Sequence, residues 1–348
     1  MHLLHESKTV NEIIDAIMAD KIILGTRFAN KLVQKIASLP AEAALACLNL
    51  SFIEKNILYP RYQKYLQEHE SRLPDLDSND LNIVRELRQT GICVTSLESL
   101  NLPNTKTFFQ GARKISAALK ESSLAPANKG KHTLCATSAQ LIKYPEVFRW
   151  GLNERLLNII ESYLALPVAY DGLSYYFSIA DGRDAGPRLW HRDREDRRMI
   201  KIGVYINDVN DDGGPFQCVR PEINSLLCDP EKYKYEIIHN KNIQKVISSE
   251  QSDWMTTCTG LAGTVIFVDT AMYYHRGKPP TRWNRSAIFF SYFSRKPRHP
   301  FLCERSPFSK ADIRYLTEGL SAHQKDCVSW KDRLPGAVKL IPKNRVKV

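Results

Sequence analysis

The chain has 348 residues, 43% of them hydrophobic, which is enough for one large domain, or a domain with an appendage, whose core needs no covalent or metal staples. Its formal net charge is +11 and its pI near 9.2, yet it carries no 18-residue apolar span and no basic-then-apolar leader, so a cytoplasmic protein without a membrane segment is expected. Eight scattered cysteines include no Cys-x-x-Cys, which argues against a zinc ribbon and for free thiols in a reducing compartment.

Residues 1–78 read as a helical extension. Val10, Ile13, Ile14 and Ile17, then Phe28, Leu32, Val33 and Ile36, recur at helical spacing, with Pro40, Pro60 and Pro74 as interruptions. A packing cap or dimer contact explains such an extension more simply than a substrate-recognition module does. Ser78 then reads as the N-cap of a helix through Leu81, Val84 and Leu87 that stops at Gly91, and Ile92 to Leu97 gives the first strand signal. Phe108–Leu119 and Leu152–Leu164 follow as helices, and Leu173–Ile179 as a strand.

The chemistry concentrates between Leu189 and Phe216. His191 and Asp193 stand two apart, so on an extended backbone their side chains leave one face and can grip one ion together. With nine histidines in the chain such a pair arises by chance in roughly one chain of two or three, so it needs support from its setting. Met199–Ile206 alternates, with Ile200, Ile202, Val204 and Ile206 on one face and Met199, Lys201, Gly203 and Tyr205 on the other; Asn210–Pro215 then forces a turn. The pair is therefore expected at the start of a strand ahead of a tight hairpin. Further on, Gly260–Gly263 is a turn, Thr264–Val268 a β-branched run, His275 lies just beyond it, and Arg285 precedes the apolar run Ala287–Phe293. Two histidines and one carboxylate on one face form the site type that suits non-haem Fe(II) oxygenases.

This ordered set, His191-x-Asp193, the Asn207-Asp208-Val209 and Gly213-Gly214-Pro215 turn, Gly263-x-Val265-x-Phe267, His275 and Arg285-Ser286, resembles the phytanoyl-CoA dioxygenase family of Fe(II)/2-oxoglutarate oxygenases over roughly residues 80 to 300. The resemblance implies a mainly β fold with helices (α+β), a double-stranded β-helix of jelly-roll or cupin type over residues 79–305, between the helical extension 1–78 and a C-terminal helix and basic tail 306–348. It implies iron held by His191, Asp193 and His275, Arg285 pairing with the distal carboxylate of 2-oxoglutarate, and O2 as the other co-substrate. The expected reaction hydroxylates an aliphatic C–H and releases succinate and CO2, with desaturation, cyclisation or epimerisation as alternatives. Val219–Asn224 departs from the family pattern after the Gly-Pro turn.

Lys201 and Tyr205, on the face opposite the Ile/Val row, are candidates to line the cavity and touch the co-substrate. His239 and His299 lack partners at ligand spacing and read as surface residues, and Cys228–Ser252 reads as a long loop that sets specificity. Between 276 and 298 the chain has Arg276, Lys278, Arg282, Arg285, Arg295, Lys296 and Arg298 and no acid, a run that would attract an anionic or carrier-linked small-molecule substrate. Ser309-Lys310-Ala311-Asp312 opens a helix expected to run to about Ala322. A homodimer stays open. A non-catalytic binding protein is disfavoured by the complete ligand set, and a nucleic-acid partner by aromatics that follow strand periodicity rather than forming a stacking platform.

Overall fold

The computed structural model describes residues 39–228, 253–303 and 308–339, together with 238, 243, 245 and 247. The two amphipathic patterns before residue 39, most of the Cys228–Ser252 loop including His239, and the end of the basic tail lie outside the described residues.

Among the described residues, nine strands form two antiparallel sheets: β1 (Ile92–Ser96), β2 (Thr133–Cys135), β3 (Val168–Ser178), β4 (Ile200–Tyr205), β5 (Phe216–Val219), β6 (Met255–Cys258), β7 (Thr264–Asp269), β8 (His275–Gly277) and β9 (Arg285–Ser294). The large sheet runs in the order β1-β7-β4-β9-β3-β2 and the small one β6-β5-β8. An apolar cluster joins Tyr205, Ile266, Val268 and Ala287 of the large sheet to Phe216, Cys218 and Cys258 of the small one, so the sheets face each other around a common interior. The expected double-stranded β-helix is present.

The alternation along β4 decides what that interior contains. Ile200, Ile202, Val204 and Ile206 all join the core under the helices, where they meet Phe108, Leu157 and Ile160. The other row, with Lys201 and Tyr205, faces between the sheets. Apolar residues thus mark the face sealed by helices, chiefly Thr105–Ser123 and Glu154–Leu164, and the mixed row marks the functional face.

Several expectations are corrected. The helix Ser78–Thr90 is capped by Asp77, whose side chain accepts from Asp80 N at 2.9 Å, and Gly91 ends it at φ 78°. His191-x-Asp193 does not open β4; it lies on a separate extended piece upstream, and residues 194–199 intervene. The Asn210–Pro215 turn closes no hairpin, because β4 pairs with β7 and β9 while β5 pairs with β6 and β8. The turn carries the chain from one sheet to the other, and Gly214 serves it at φ 71°, where a Cβ would stand 2.4 Å from the Lys278 carbonyl. The C-terminal helix is two helices, Lys310–Leu316 and Ala322–Val328, each opened by its own capping box, with Gly319 at φ 74° between them.

The run from 276 to 298 is not uncompensated. Strand geometry sends its side chains in different directions, where acids distant in sequence meet them: Lys278 with Asp211 at 3.7 Å, Arg295 with Asp326 at 3.1 Å, and Arg298 with Glu54. Through Arg298 and the Arg197–Glu54 pair at 2.6 Å, the stretch around Leu48 to Glu54 is held against the loops around Asp196.

His299 is fully buried rather than on the surface, with Nδ1 donating to the Arg194 carbonyl at 2.5 Å. Burial pushes its pKa down to about 3. A histidine depressed on folding contributes stability that is complete above its ordinary value near 6.5 and is lost as pH falls toward the folded value. The wild-type protein should therefore lose stability below pH ~6.5 more steeply than His299→Asn, by up to about 1.4 kcal/mol for each pH unit. Denaturant midpoints between pH 7 and 4.5 check this, and parallel curves for the two proteins would refute it.

Candidate metal centre

The centre starts from one backbone contact. His191 N donates to His275 O at 3.1 Å and His275 N to His191 O at 3.0 Å, so the two histidines form a reciprocal antiparallel bridge beside β8. Residues directly opposite in such a ladder carry side chains on the same face. The imidazole centroids are 4.4 Å apart at 55°. Two residues along, Asp193 returns to that face, its own N–H donating to Thr270 O at 2.8 Å. The ligand atoms of His191, Asp193 and His275 all lie within 4.8 Å of one another, and no other such group of three occurs among the described residues.

The rings are oriented as well as placed. His191 Nδ1 lies 2.7 Å from Leu189 O and His275 Nδ1 3.1 Å from Tyr273 O, so each Nδ1 carries the proton and each Nε2 presents a lone pair. Burial and the neighbouring His191 hold His275 well below the usual histidine pKa, which keeps it a neutral donor. Its Nε2 is buried without a hydrogen-bond partner, as a metal ligand would be. Phe216 stacks on the His275 ring at 5.7 Å and forms a dry wall behind it. Neutral imidazole nitrogens and a carboxylate fit Fe(II) and related divalent ions.

Two residues that were not singled out from the sequence hold this arrangement. Asp269, at the end of β7, is fully buried, accepts from Tyr163 OH at 2.7 Å and from Met272 N at 3.1 Å, and so folds the loop that delivers His275. Asn224 belongs to the stretch that departs from the family pattern; there it lies in the helix Pro221–Leu227, accepts from Tyr274 N at 2.9 Å and donates to Met272 O at 2.9 Å. The only sequence signal for either was a polar residue embedded in an apolar neighbourhood.

Lys201 and Arg285 bring positive charge to the same interior. Lys201 Nζ is 2.5 Å from Asp193 Oδ2, with both side chains about nine-tenths buried. Arg285, the first residue of β9, is buried, and its Nη1 donates to the Gly214 carbonyl. Its Nη2 would lie only 2.4 Å from a Cβ at position 277, so glycine there makes room for the guanidinium. Arg285 Nε is buried without a hydrogen-bond partner, and no carboxylate of a described residue pairs with the group. Burial lowers the Arg285 pKa, an effect that an anion beside it would oppose. Tyr205 lies near Arg285, and its hydroxyl accepts from Phe216 N and donates to Cys258 O, both at 2.8 Å, pinning the small sheet onto the large one. Of the expected basic run only Arg285 turns inward; Arg276 stacks on Trp190 at 4.6 Å and donates to Gln217.

A groove of about 960 Å³ lies elsewhere, between the helix Thr105–Ser123 and the loops around Asn207 and Trp283, and none of the residues just described lines it.

No protein-family model matches the chain, and no curated protein matches it. Among solved structures it is similar to the carbocyclase SnoK from nogalamycin biosynthesis, at 15% identity over 69% of this chain and 91% of that one, with a TM-score of 0.45. EctD from S. alaskensis is 15% identical over 67% of this chain and 86% of its own, at 0.43, and HygX from Streptomyces hygroscopicus is 15% identical over 63% and 88%, at 0.40. Nothing about function follows from likenesses at this level.

Asn224→Ala should leave two buried backbone groups unpaired, lower stability by about 2 kcal/mol or more, and weaken divalent-metal affinity by about tenfold. Ser225→Ala, its exposed neighbour, should change neither. Denaturation and equilibrium dialysis with Mn(II) check both effects, and an Asn224→Ala protein with wild-type metal affinity would show that Asn224 does not help to set the ligands.

Proposed function

We propose that the chain is a non-haem Fe(II)/2-oxoglutarate-dependent oxygenase of the phytanoyl-CoA dioxygenase type that hydroxylates a small molecule. The observation that carries this reading is the presence, in one barrel interior, of a three-residue ligand cluster and a buried arginine that no carboxylate of the described residues balances. His191, Asp193 and His275 would hold Fe(II) from one side. Bound there, the iron would supply O2 activation coupled to decarboxylation of 2-oxoglutarate, giving succinate, CO2 and an oxidised substrate.

The chain's own residues do the positioning. Arg285 pairs with the distal carboxylate of 2-oxoglutarate through its Nε edge, while its Nη1 stays anchored on Gly214 O. Lys201 contributes a second positive charge near the ligands. Tyr205 holds the walls apart at a fixed distance through its two hydroxyl hydrogen bonds. Phe216 and Phe289, 5.9 Å apart, keep water from the histidine face. Asp193 supplies the carboxylate ligand, which favours hydroxylation over outcomes that need that coordination position for another anion. Because Arg276, Lys278, Arg295 and Arg298 are engaged elsewhere, the sequence ground for an anionic or carrier-linked substrate weakens, and the substrate class rests at a small molecule.

Arg285→Ala should lower 2-oxoglutarate affinity by roughly 30- to several-thousand-fold, the cost of about 2–5 kcal/mol for removing one partner of a buried charged pair. Arg285→Lys, which keeps the charge and loses the fork, should fall between, and Arg282→Ala should change little, since that side chain lies over the exposed Trp283. Anaerobic calorimetry on metal-loaded protein measures this. Equal losses at 282 and 285 would reveal a diffuse field rather than a clamp, and unchanged affinity in Arg285→Ala would remove the 2-oxoglutarate assignment.

A further inference from the structure

We propose that Lys201 is the metal site's built-in counterion: it pairs with Asp193 before metal arrives and makes divalent metal and keto acid bind as a coupled pair. This rests on the iron/keto-acid reading above and adds a rule for how the site fills.

Lys201 is the second residue of β4, paired in register with Val268 on one side and Ser291 on the other, so its backbone has no freedom to retreat. Its ammonium reaches across the interior to within 2.5 Å of Asp193 Oδ2, and the two side chains are 10% and 8% exposed. A cation at that distance from a carboxylate needed for metal is a competitor for the same negative charge. Nothing about three-ligand coordination requires it, and an apolar residue at 201 would fit the alternation equally well.

The charge count gives the competition a direction. Before metal binds, Asp193 neutralises Lys201, and Arg285, anchored on Gly214 O, is a further buried cation in the same interior. A divalent ion alone would raise the buried excess of positive charge from one to three. A keto acid with two carboxylates brings it back to one. Without Lys201 the same steps give two and then zero, so the metal-only state is less strained and the keto acid relieves less. Buried like charges repel far more than exposed ones, since little water screens them. Lys201 therefore disfavours metal without keto acid and strengthens the mutual reinforcement of the two. By linkage the reinforcement is reciprocal, and couplings of this kind typically amount to about 5–150-fold. A site wired this way holds metal more weakly on its own than with its co-substrate, which limits oxidation of the protein when no co-substrate is present.

The test is Mn(II) binding by equilibrium dialysis, with and without 2-oxoglutarate, on the full-length wild type, Lys201→Met and Lys201→Arg, with thermal melts to establish folding. Lys201→Met should bind Mn(II) alone about tenfold more tightly than wild type, and the boost from 2-oxoglutarate should shrink by about the same factor. Lys201→Arg, which keeps the charge, should behave like wild type in both respects. If Lys201→Met does not fold, Lys201→Gln makes the same comparison. The inference is overturned if the uncharged variant binds Mn(II) alone no better than wild type, or if the Met and Arg variants change alike, which would assign the effect to shape. Those outcomes leave the iron reading standing; a wild-type protein that takes up neither Mn(II) nor Fe(II) in either condition overturns that reading and this inference together.

Discussion

The centre depends on the reciprocal hydrogen bonds between the main chains of His191 and His275, at 3.1 and 3.0 Å. One register of that bridge puts both imidazoles on the interior face, and the two-residue period brings Asp193 to the same face. A slip by one residue on either strand would send one imidazole to the outside of the small sheet, where Trp190, Val219 and Tyr274 pack. Most of the surrounding construction serves that register. Asp269 and Asn224 fold the loop before His275, Thr270 O takes the Asp193 N–H, and the His275–Cys218 pairing ties β8 to β5.

The same interior concentrates charge that a core ordinarily excludes. The side chains of Asp193, Lys201 and Arg285 are gathered there with two neutral histidines, among Phe216, Phe289 and Ala287. Each of the three charged groups alone would cost several kcal/mol to desolvate, and Asp193 and Lys201 compensate each other directly. A protein that needed stability alone would gain by replacing this set with packed hydrocarbon. The stability is supplied on the other side of the large sheet, where Phe108, Trp150 and Phe290 meet within 6.0 Å and the helices close over the Ile200–Ile206 row.

Much of this was readable from local pattern. Period-two alternation located β4, β-branched and apolar runs located β7 and β9, helical periodicity located most of Thr105–Ser123 and Glu154–Leu164, and the His-x-Asp spacing identified a pair that the fold does bring together with His275. What pattern does not encode is which strand pairs with which. The Asn210–Pro215 turn has the composition of a hairpin and instead crosses between sheets, because β4 is occupied on both edges by β7 and β9. Burial of His299 and the pairing of Arg298 with Glu54 depend on contacts far apart in sequence, and no spacing rule reaches that far. The Lys201–Asp193 pair is of the same kind: strand alternation gave the side of β4 that Lys201 faces, and only the approach of the other sheet's edge gave it a partner.

The most direct measurement is an anomalous difference map at the iron edge from crystals grown anaerobically with Fe(II) and 2-oxoglutarate. A single strong peak within bonding distance of His191 Nε2, an Asp193 carboxylate oxygen and His275 Nε2, with 2-oxoglutarate density reaching Arg285, is the predicted result. A peak bound elsewhere, or no ordered iron between these three residues in crystals that contain the keto acid, would contradict the account.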